Sequence, residues 1–304
     1  MDFAGLGWMP WRPAAALGIS LLIAWPILRA WPRMRPVSSL VFELGLIFTL
    51  YAGWQYVGAI KPGGALESAN AAGQWVVDAE RWLHWPSEQW IQALALPHDG
   101  LIAFADWYYS SLHIPVFVVT LAWVLVRHRP DWPFARTTTV LLTGACLLIQ
   151  FKPVAPPRLM PHLGIVDTAL EHGRSVYAAI PGANQLAAMP SVHIAWAALV
   201  ALFIIVSAGT AWRWLALIYP VMTMWVVVVT GNHFIMDGAV ALALLALAVG
   251  IALLFPSQRP RRALALLPGG KGSVDSQSSS QREPSCPAPG ASRGTTLGRS
   301  ARPR

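Results

Sequence analysis

Thr230-Gly231-Asn232-His233-Phe234-Ile235-Met236-Asp237 leads straight into an apolar run that continues to Phe255 without another charged residue. A run of that length and purity reads as a membrane-crossing helix. On a helix, the four-residue spacing puts His233 and Asp237 on one face, where the carboxylate holds one ring nitrogen and leaves the other free. Met189-Pro190-Ser191-Val192-His193 likewise puts a histidine at the edge of an apolar run, and Pro153-Val154-Ala155-Pro156-Pro157-Arg158 stands at the far end of a third. Taken singly, each histidine reads as a polar residue bordering a membrane helix. Three such elements on one side of a bilayer can build one pocket.

Composition supports the membrane reading. The 304 residues are 55% hydrophobic and include 16 tryptophans, and 12% are charged, against ~25% in ordinary soluble domains. Apolar stretches able to cross ~30 Å of hydrocarbon run from Ala14 to Trp31, Leu40 to Ile60, Leu101 to Val126, Ala135 to Phe151, Pro190 to Ser207, Trp212 to Val229 and Phe234 to Phe255. The expected fold is therefore an all-α polytopic bundle, about six core helices plus one N-terminal helix. Basic residues gather after the first, third, fifth and seventh stretches: Arg29, Arg33 and Arg35; Arg127, Arg129 and Arg136; Arg213; and Arg259, Arg261 and Arg262. Arg12, Lys61, Arg81, Lys152, Arg158 and Arg174 are scattered through longer, acid-containing loops on the other side. The positive-inside rule then places the N-terminus outside and the C-terminal tail in the cytoplasm. Arg158, Ser191, His193, His233 and Asp237 all fall at extracytoplasmic helix ends.

The formal net charge of +8 does not point to nucleic acid. From Pro256 onward nine Lys/Arg stand against two Asp/Glu, so the tail carries nearly all of it. Rich in Ser, Pro, Gly and Arg, the tail cannot bury enough surface to offset its ordering entropy and reads as disordered. Cys146 lies in an apolar run and Cys286 in the tail, so no disulfide framework or cysteine metal site follows. The start lacks a basic, cleavable signal peptide. With the Arg- and Ala-rich composition, this fits a bacterial plasma membrane.

Between the second and third stretches, Trp75, Val76, Ala79, Trp82 and Leu83 recur at helical spacing, with Asp78, Glu80, Arg81 and Glu88 largely between them. That pattern predicts amphipathic helices anchored in the outer interface. The third stretch opens unusually polar, with Tyr108, Tyr109, Ser110, Ser111 and His113. Such groups face a bundle interior or a water-filled cavity. They either line a headgroup pocket or bond neighbouring helices.

As chemistry, the set describes an oxyanion site. Arg158 offers a permanently charged fork for phosphate oxygens, and Lys152 is a candidate second cation. Pro190 and Ser191 open a helix whose free amides and hydroxyl can complete an anion cradle. His233, oriented by Asp237, can attack phosphorus, while His193 protonates the leaving oxygen and then activates the incoming nucleophile. No metal and no cofactor is required. The alternatives are a metal-dependent hydrolase with His193, His233 and Asp237 as ligands, and a non-catalytic or transporter-like protein using His233 and Asp237 as a proton relay.

The order Arg158, then Pro190-Ser191-x-His193, then His233-x-x-x-Asp237 resembles the type 2 phosphatidic acid phosphatase superfamily. The wording Pro-Pro-Arg, Pro-Ser-Val-His and Thr-Gly-Asn-His-Phe-x-x-Asp resembles its inositol phosphorylceramide synthase-like branch. The resemblance implies a membrane domain over 40–255, preceded by a helix and basic loop over 1–39 and followed by the tail over 256–304. It implies His233 as nucleophile, Asp237 as its orienter, His193 as general acid, and Arg158 and Ser191 as phosphate ligands. It also implies a lipid-linked phosphate as substrate, with water, an alcohol or a polyol as acceptor. Two departures stand out. The family's first-motif lysine falls at Phe151, one place before Lys152, and its third-motif Ser-Arg is replaced by Val226-Val227.

Overall fold

The computed structural model describes residues 9–59, 65–173, 175 and 184–260. Lys61, Arg174, Arg261, Arg262, Cys286 and the tail beyond residue 260 lie outside these. The described α-helices of eight residues or more are α1 (Trp11–Ala30), α2 (Arg35–Ala59), α3 (Ala65–Trp82), α4 (Glu88–Ala95), α5 (Asp99–Trp107), α6 (His113–Arg127), α7 (Trp132–Gln150), α8 (Val192–Ser207), α9 (Ile218–Val229) and α10 (Ile235–Leu254). The all-α polytopic bundle expected from the apolar runs is the fold observed.

Among the described residues, six helical segments are long and apolar enough to cross a membrane: Trp11–Ala30, Pro32–Ala59, Asp99–Arg127, Arg129–Gln150, Ala211–Val229 and Ile235–Leu254. The seventh expected crossing, α8, has 16 residues, about 24 Å at 1.5 Å per residue. It is also the centre of the bundle, with α6, α7, α9 and α10 packed around it. Ile194, Ala195, Ala197, Leu199, Val200 and Phe203 are buried on several of its faces, which is why its apolar residues show no single stripe.

α1 and α2 form a hairpin in which Gly18 lets the backbones close, since a Cβ there would lie 2.7 Å from Thr49 Oγ1 and 2.8 Å from Thr49 N. At one end of the bundle, Glu43 of α2 accepts from Arg136 Nη1 and Trp132 Nε1, each at 2.9 Å. α5 passes into α6 through a π-helical turn, Tyr108–Leu112. Its wider winding turns Tyr108, Tyr109 and His113 inward together, and all three are buried.

The segment between the second and third apolar stretches is helical, as α3 and α4, but its polar residues do not all face outward. α3 packs Ala69, Val76 and Val77 against Val154, Ala155, Met160, Ala188 and Phe234. Trp75, Trp82 and Trp90 are 67%, 78% and 58% exposed. Glu80 and Glu88, which the alternation would leave in solvent, are instead buried.

Candidate active site

The connection from α7 to α8 assembles the site. Val154 and Ala187 form an isolated parallel bridge, with Val154 N donating to Leu186 O at 2.8 Å and Ala188 N to Val154 O at 3.2 Å. This carries the Ala188 carbonyl to the turn that follows α9. In the same connection Arg158 N donates to Gly231 O at 3.0 Å, binding the first motif to the third through the backbone.

Gly231 makes that junction possible. Its φ is +68°, and a Cβ would lie 2.8 Å from Ile165 Cγ2 and 3.1 Å from Arg158 Cβ. Alanine there combines left-handed strain with overpacking, an expected loss of about 2–4 kcal/mol. Gly173 has φ +63° with nothing within 4 Å of its Cβ, so Gly173→Ala should lose only the conformational part, about 1–2 kcal/mol. Thermal unfolding of the two variants in detergent checks the difference; equal losses would contradict the packing argument.

His233 and Asp237 meet, but not on one helix face. His233 precedes α10, whose N-cap is Phe234, and Asp237 in the first turn reaches back to accept from Phe234 N at 2.9 Å. The same oxygen, Oδ2, lies 3.2 Å from His233 Nδ1. The shorter partner of Nδ1 is the Ala188 carbonyl, at 2.8 Å. A carbonyl only accepts, so Nδ1 carries the hydrogen and Nε2 keeps its lone pair. Burial, the largest influence, pushes the imidazole down to about 4; the bond to Ala188 opposes this, and the positive charge of Arg158 adds to it. His233 is therefore neutral at physiological pH, with its free nitrogen competent as a nucleophile.

Ser191 is the N-cap of α8. It is fully buried, and its Oγ accepts from Ile194 N at 3.3 Å, which leaves the hydroxyl hydrogen able to donate. The helix begins at Val192, so Pro190 lies just before the cap. Ser191 N donates to the Asp237 carbonyl at 3.2 Å, joining the second motif to the third. The His193 ring lies 5.7 Å from that of His233, centroid to centroid. Tyr109 stacks on it at 4.4 Å, and His113 lies 4.8 Å away. Its orientation thus comes from packed rings.

Arg158 is buried. Its Nε donates to Asn232 Oδ1 at 2.9 Å, and Nη1 reaches Asp167 Oδ2 at 3.1 Å and Gln185 Oε1 at 3.5 Å. Lys152 stands apart. It is exposed at the end of α7 and joins no hydrogen bond or ion pair from its ammonium among the described residues. The geometry therefore adds no second cation beside Arg158.

At His193 a narrow gap is lined by Tyr108, Tyr109, His113, His193, Thr223, Val226 and Val227. Tyr108 OH lies 2.7 Å from Thr223 Oγ1, and Tyr219 OH lies 3.4 Å from His113 Nδ1. The polar turn of the third stretch thus bonds a neighbouring helix. Val227, where the family's third motif has arginine, is buried here, and its carbonyl accepts from Asn232 N and His233 N. The lining carries no formal charge.

Sequence reasoning passed over Ala188, Asp167, Gln185, Glu80 and Glu88. A backbone carbonyl has no sequence signature, and the four side chains lie in loops or on amphipathic helices, where they read as solvated. Among the described residues no three His, Cys, Asp or Glu side chains converge as a metal site would require.

Neither a curated protein nor a solved structure matches the chain. The model of the PAP2 superfamily matches residues 74–251, more than half the chain, from within α3 into α10. Arg158, Ser191, His193, His233 and Asp237 all lie inside that match, whereas α1 and α2 lie outside it. On this match, with its three motifs drawn together at one end of a membrane-type helical bundle, the chain belongs to the PAP2 superfamily of type 2 phosphatidic acid phosphatases.

Proposed function

We propose that this protein is a membrane phosphatase or phosphotransferase that passes the phosphoryl group of a lipid-linked phosphate through His233. Members of the superfamily are phosphatases or phosphotransferases. The observation that carries the reading is the anchoring of His233 Nδ1 by Ala188 and Asp237, which reserves Nε2 for phosphorus. In the first step Nε2 attacks phosphorus, the bond to the leaving oxygen breaks, and His193 gives that oxygen a proton. In the second, His193 takes a proton from water or an alcohol whose oxygen attacks phosphorus, and the P–N bond breaks. Arg158 and Ser191 hold the non-bridging oxygens.

The finer reading is transfer to a polyol, as in the inositol phosphorylceramide synthase-like branch, and it is supported by the wording of the three motifs. Tyr108, Tyr109 and His113 gather beside His193, and their hydroxyls and ring nitrogens are hydrogen-bonding partners suited to a neutral hydroxyl acceptor. Arginine-rich connections at the opposite helix ends support a site on the extracytoplasmic face of a bacterial plasma membrane.

The test is phosphate release from a panel of lipid phosphates by protein in detergent, with and without chelator and with and without added polyols. Chelator-resistant release lost in His233→Ala is expected. Release abolished by chelator would favour the metal-dependent reading, and transport of substrate without turnover the non-catalytic one.

The pH dependence follows from the depressed imidazole. An unfolded histidine titrates at 6.5 and folded His233 at about 4, so the unfolded chain binds more protons between these values. Its contribution to stability is complete above that window and is lost as pH falls through it. Turnover should hold through mildly acid pH and fall as pH drops through about 4. A pH–rate profile with its acid limb at or above 6.5 would contradict a buried, neutral nucleophile.

A further inference from the structure

α10 opens with three consecutive backbone N–H groups, and each ends on a carboxyl oxygen. Phe234 N donates to Asp237 Oδ2 at 2.9 Å, Ile235 N to Glu88 Oε1 at 3.1 Å and Met236 N to Glu80 Oε1 at 2.6 Å. Only the first is local. The other two come from α3 and α4, the helices whose outer faces expose Trp75, Trp82 and Trp90. One Ser, Asp or Asn at the N-cap normally serves a helix start. Here two glutamates, 4% and 6% exposed, are drawn out of water to do it.

Their mutual arrangement decides how such a pair survives burial. By accepting from the adjacent amides of Ile235 and Met236, the Glu88 and Glu80 carboxyls are set side by side, and two carboxylates without a proton have no donor to offer each other. Burial first, and then the charge of Glu88, push the Glu80 carboxyl up to about 9, with Asp237 adding to the effect and the bond from Met236 opposing it. Among the described residues no base pairs with either carboxyl; His162 reaches the same helix only at Gln74, 2.8 Å away and six residues before Glu80. Arg81, next to Glu80, is exposed and lies 3.7 Å from the equally exposed Asp78. The segments packed on α3 present Val154, Ala155, Met160 and Ala188.

Resting on the phosphohistidine reading for its functional consequence, we propose that Glu80 and Glu88 are positioning residues, a carboxyl–carboxylate pair sharing one proton that clamps the first turn of α10 and thereby fixes Asp237 and His233. The amides they hold belong to the two residues between His233-Phe234 and Asp237. A released first turn moves both partners of the nucleophile at once. Loss of the shared proton leaves two charges beside buried Asp237, and like charges at that range repel strongly. The clamp thus sets an alkaline limit to activity and joins helices of the interface to the reacting histidine.

Glutamine at position 80 separates positioning from mere structure, because it keeps the acceptor for Met236 N and a donor toward Glu88 yet cannot lose a proton. Full-length wild type, Glu80→Gln, Glu80→Ala and His233→Ala are compared for hydrogen exchange across 233–238 and for binding of inorganic orthovanadate, each against pH. Wild type should lose both protection and vanadate affinity as pH rises through about 9. Glu80→Gln should keep both beyond that point, and Glu80→Ala should lose about tenfold or more in affinity at neutral pH, as expected of misplaced first-turn groups. Thermal stability should follow. The folded chain holds a proton that an unfolded glutamate releases near 4.5, so wild-type stability is full below 4.5 and declines as pH rises toward about 9; Glu80→Gln should flatten that decline. Identical pH profiles of exchange in wild type and Glu80→Gln, or neutral-pH protection and affinity in Glu80→Ala equal to those of Glu80→Gln, would overturn the clamp. Vanadate binding unchanged in His233→Ala would instead overturn the reading of His233, and exchange alone would then judge the clamp.

Discussion

Alanine at position 233 should take phosphate release to background, a fall of about 10⁴-fold or more, as removal of a nucleophile demands. Neither of its described neighbours in the motif set is placed to replace it. Asp237 Oδ2 is occupied by Phe234 N, and the His193 ring is a separate group 5.7 Å away. His193→Gln should behave differently. On a lipid phosphate, whose alkoxide needs a proton to leave, loss of the general acid should cost about 10²–10⁴-fold. On an aryl phosphate, whose leaving group departs unaided, the first step should persist and the second should stall for want of a base. A burst of phenol followed by slow turnover is the expected trace in stopped-flow assays. A first step slowed equally on both substrates, with no burst of phenol, would deny His193 its acid role.

The second large effect belongs to Arg158. Its fork is held in place by Asn232, Asp167 and Gln185, so its plane is fixed before substrate arrives. Lysine keeps the charge but has a single ammonium that cannot reproduce a planar fork. Arg158→Lys is expected to lose about 10²–10³-fold in turnover, the usual consequence of losing one preorganised donor to a developing oxyanion. Arg158→Ala should lose more and should also destabilise the fold, by about 3–5 kcal/mol, because Asp167 loses its ion-pair partner. Steady-state kinetics and thermal unfolding of both variants check this pair. Kinetics of Arg158→Lys equal to wild type would show that only charge matters there.

Much of this fold can be read from the chain because its dominant signal is simple. Uninterrupted apolar runs mark the membrane-type helices, and the buried centre, α8, is the run with the least amphipathic pattern. The motifs are legible for a related reason. Arg158, Ser191, His193, His233 and Asp237 are polar groups at the ends of apolar runs, where anything polar needs an explanation. The structure brings their segments together through Arg158 N to Gly231 O and Ser191 N to Asp237 O.

Local chemistry was harder to read. The spacing of His233 and Asp237 fits a helix face, yet the histidine lies outside the helix and the aspartate reaches it as part of a cap. Ala188 supplies the shorter bond to Nδ1 from a position with no polar side chain at all. Lys152 has the right charge and nearly the right position, but one residue of offset at the end of α7 leaves it on the surface. Glu80 and Glu88 mislead most. In an amphipathic pattern, carboxylates between tryptophans read as the wet face. Here the tryptophans face out, and the carboxylates serve amides 147 and 156 residues away in sequence.

One measurement bears on all of this most directly: trapping the covalent intermediate. Protein mixed with a radiolabelled lipid phosphate and quenched in alkali should retain an acid-labile label, and peptide mapping should find it on His233, with label absent in His233→Ala; from a labelled aryl phosphate, label should accumulate in His193→Gln. Turnover in wild type with no trapped label, or with the label on another residue, would contradict His233 as the group that carries the phosphoryl.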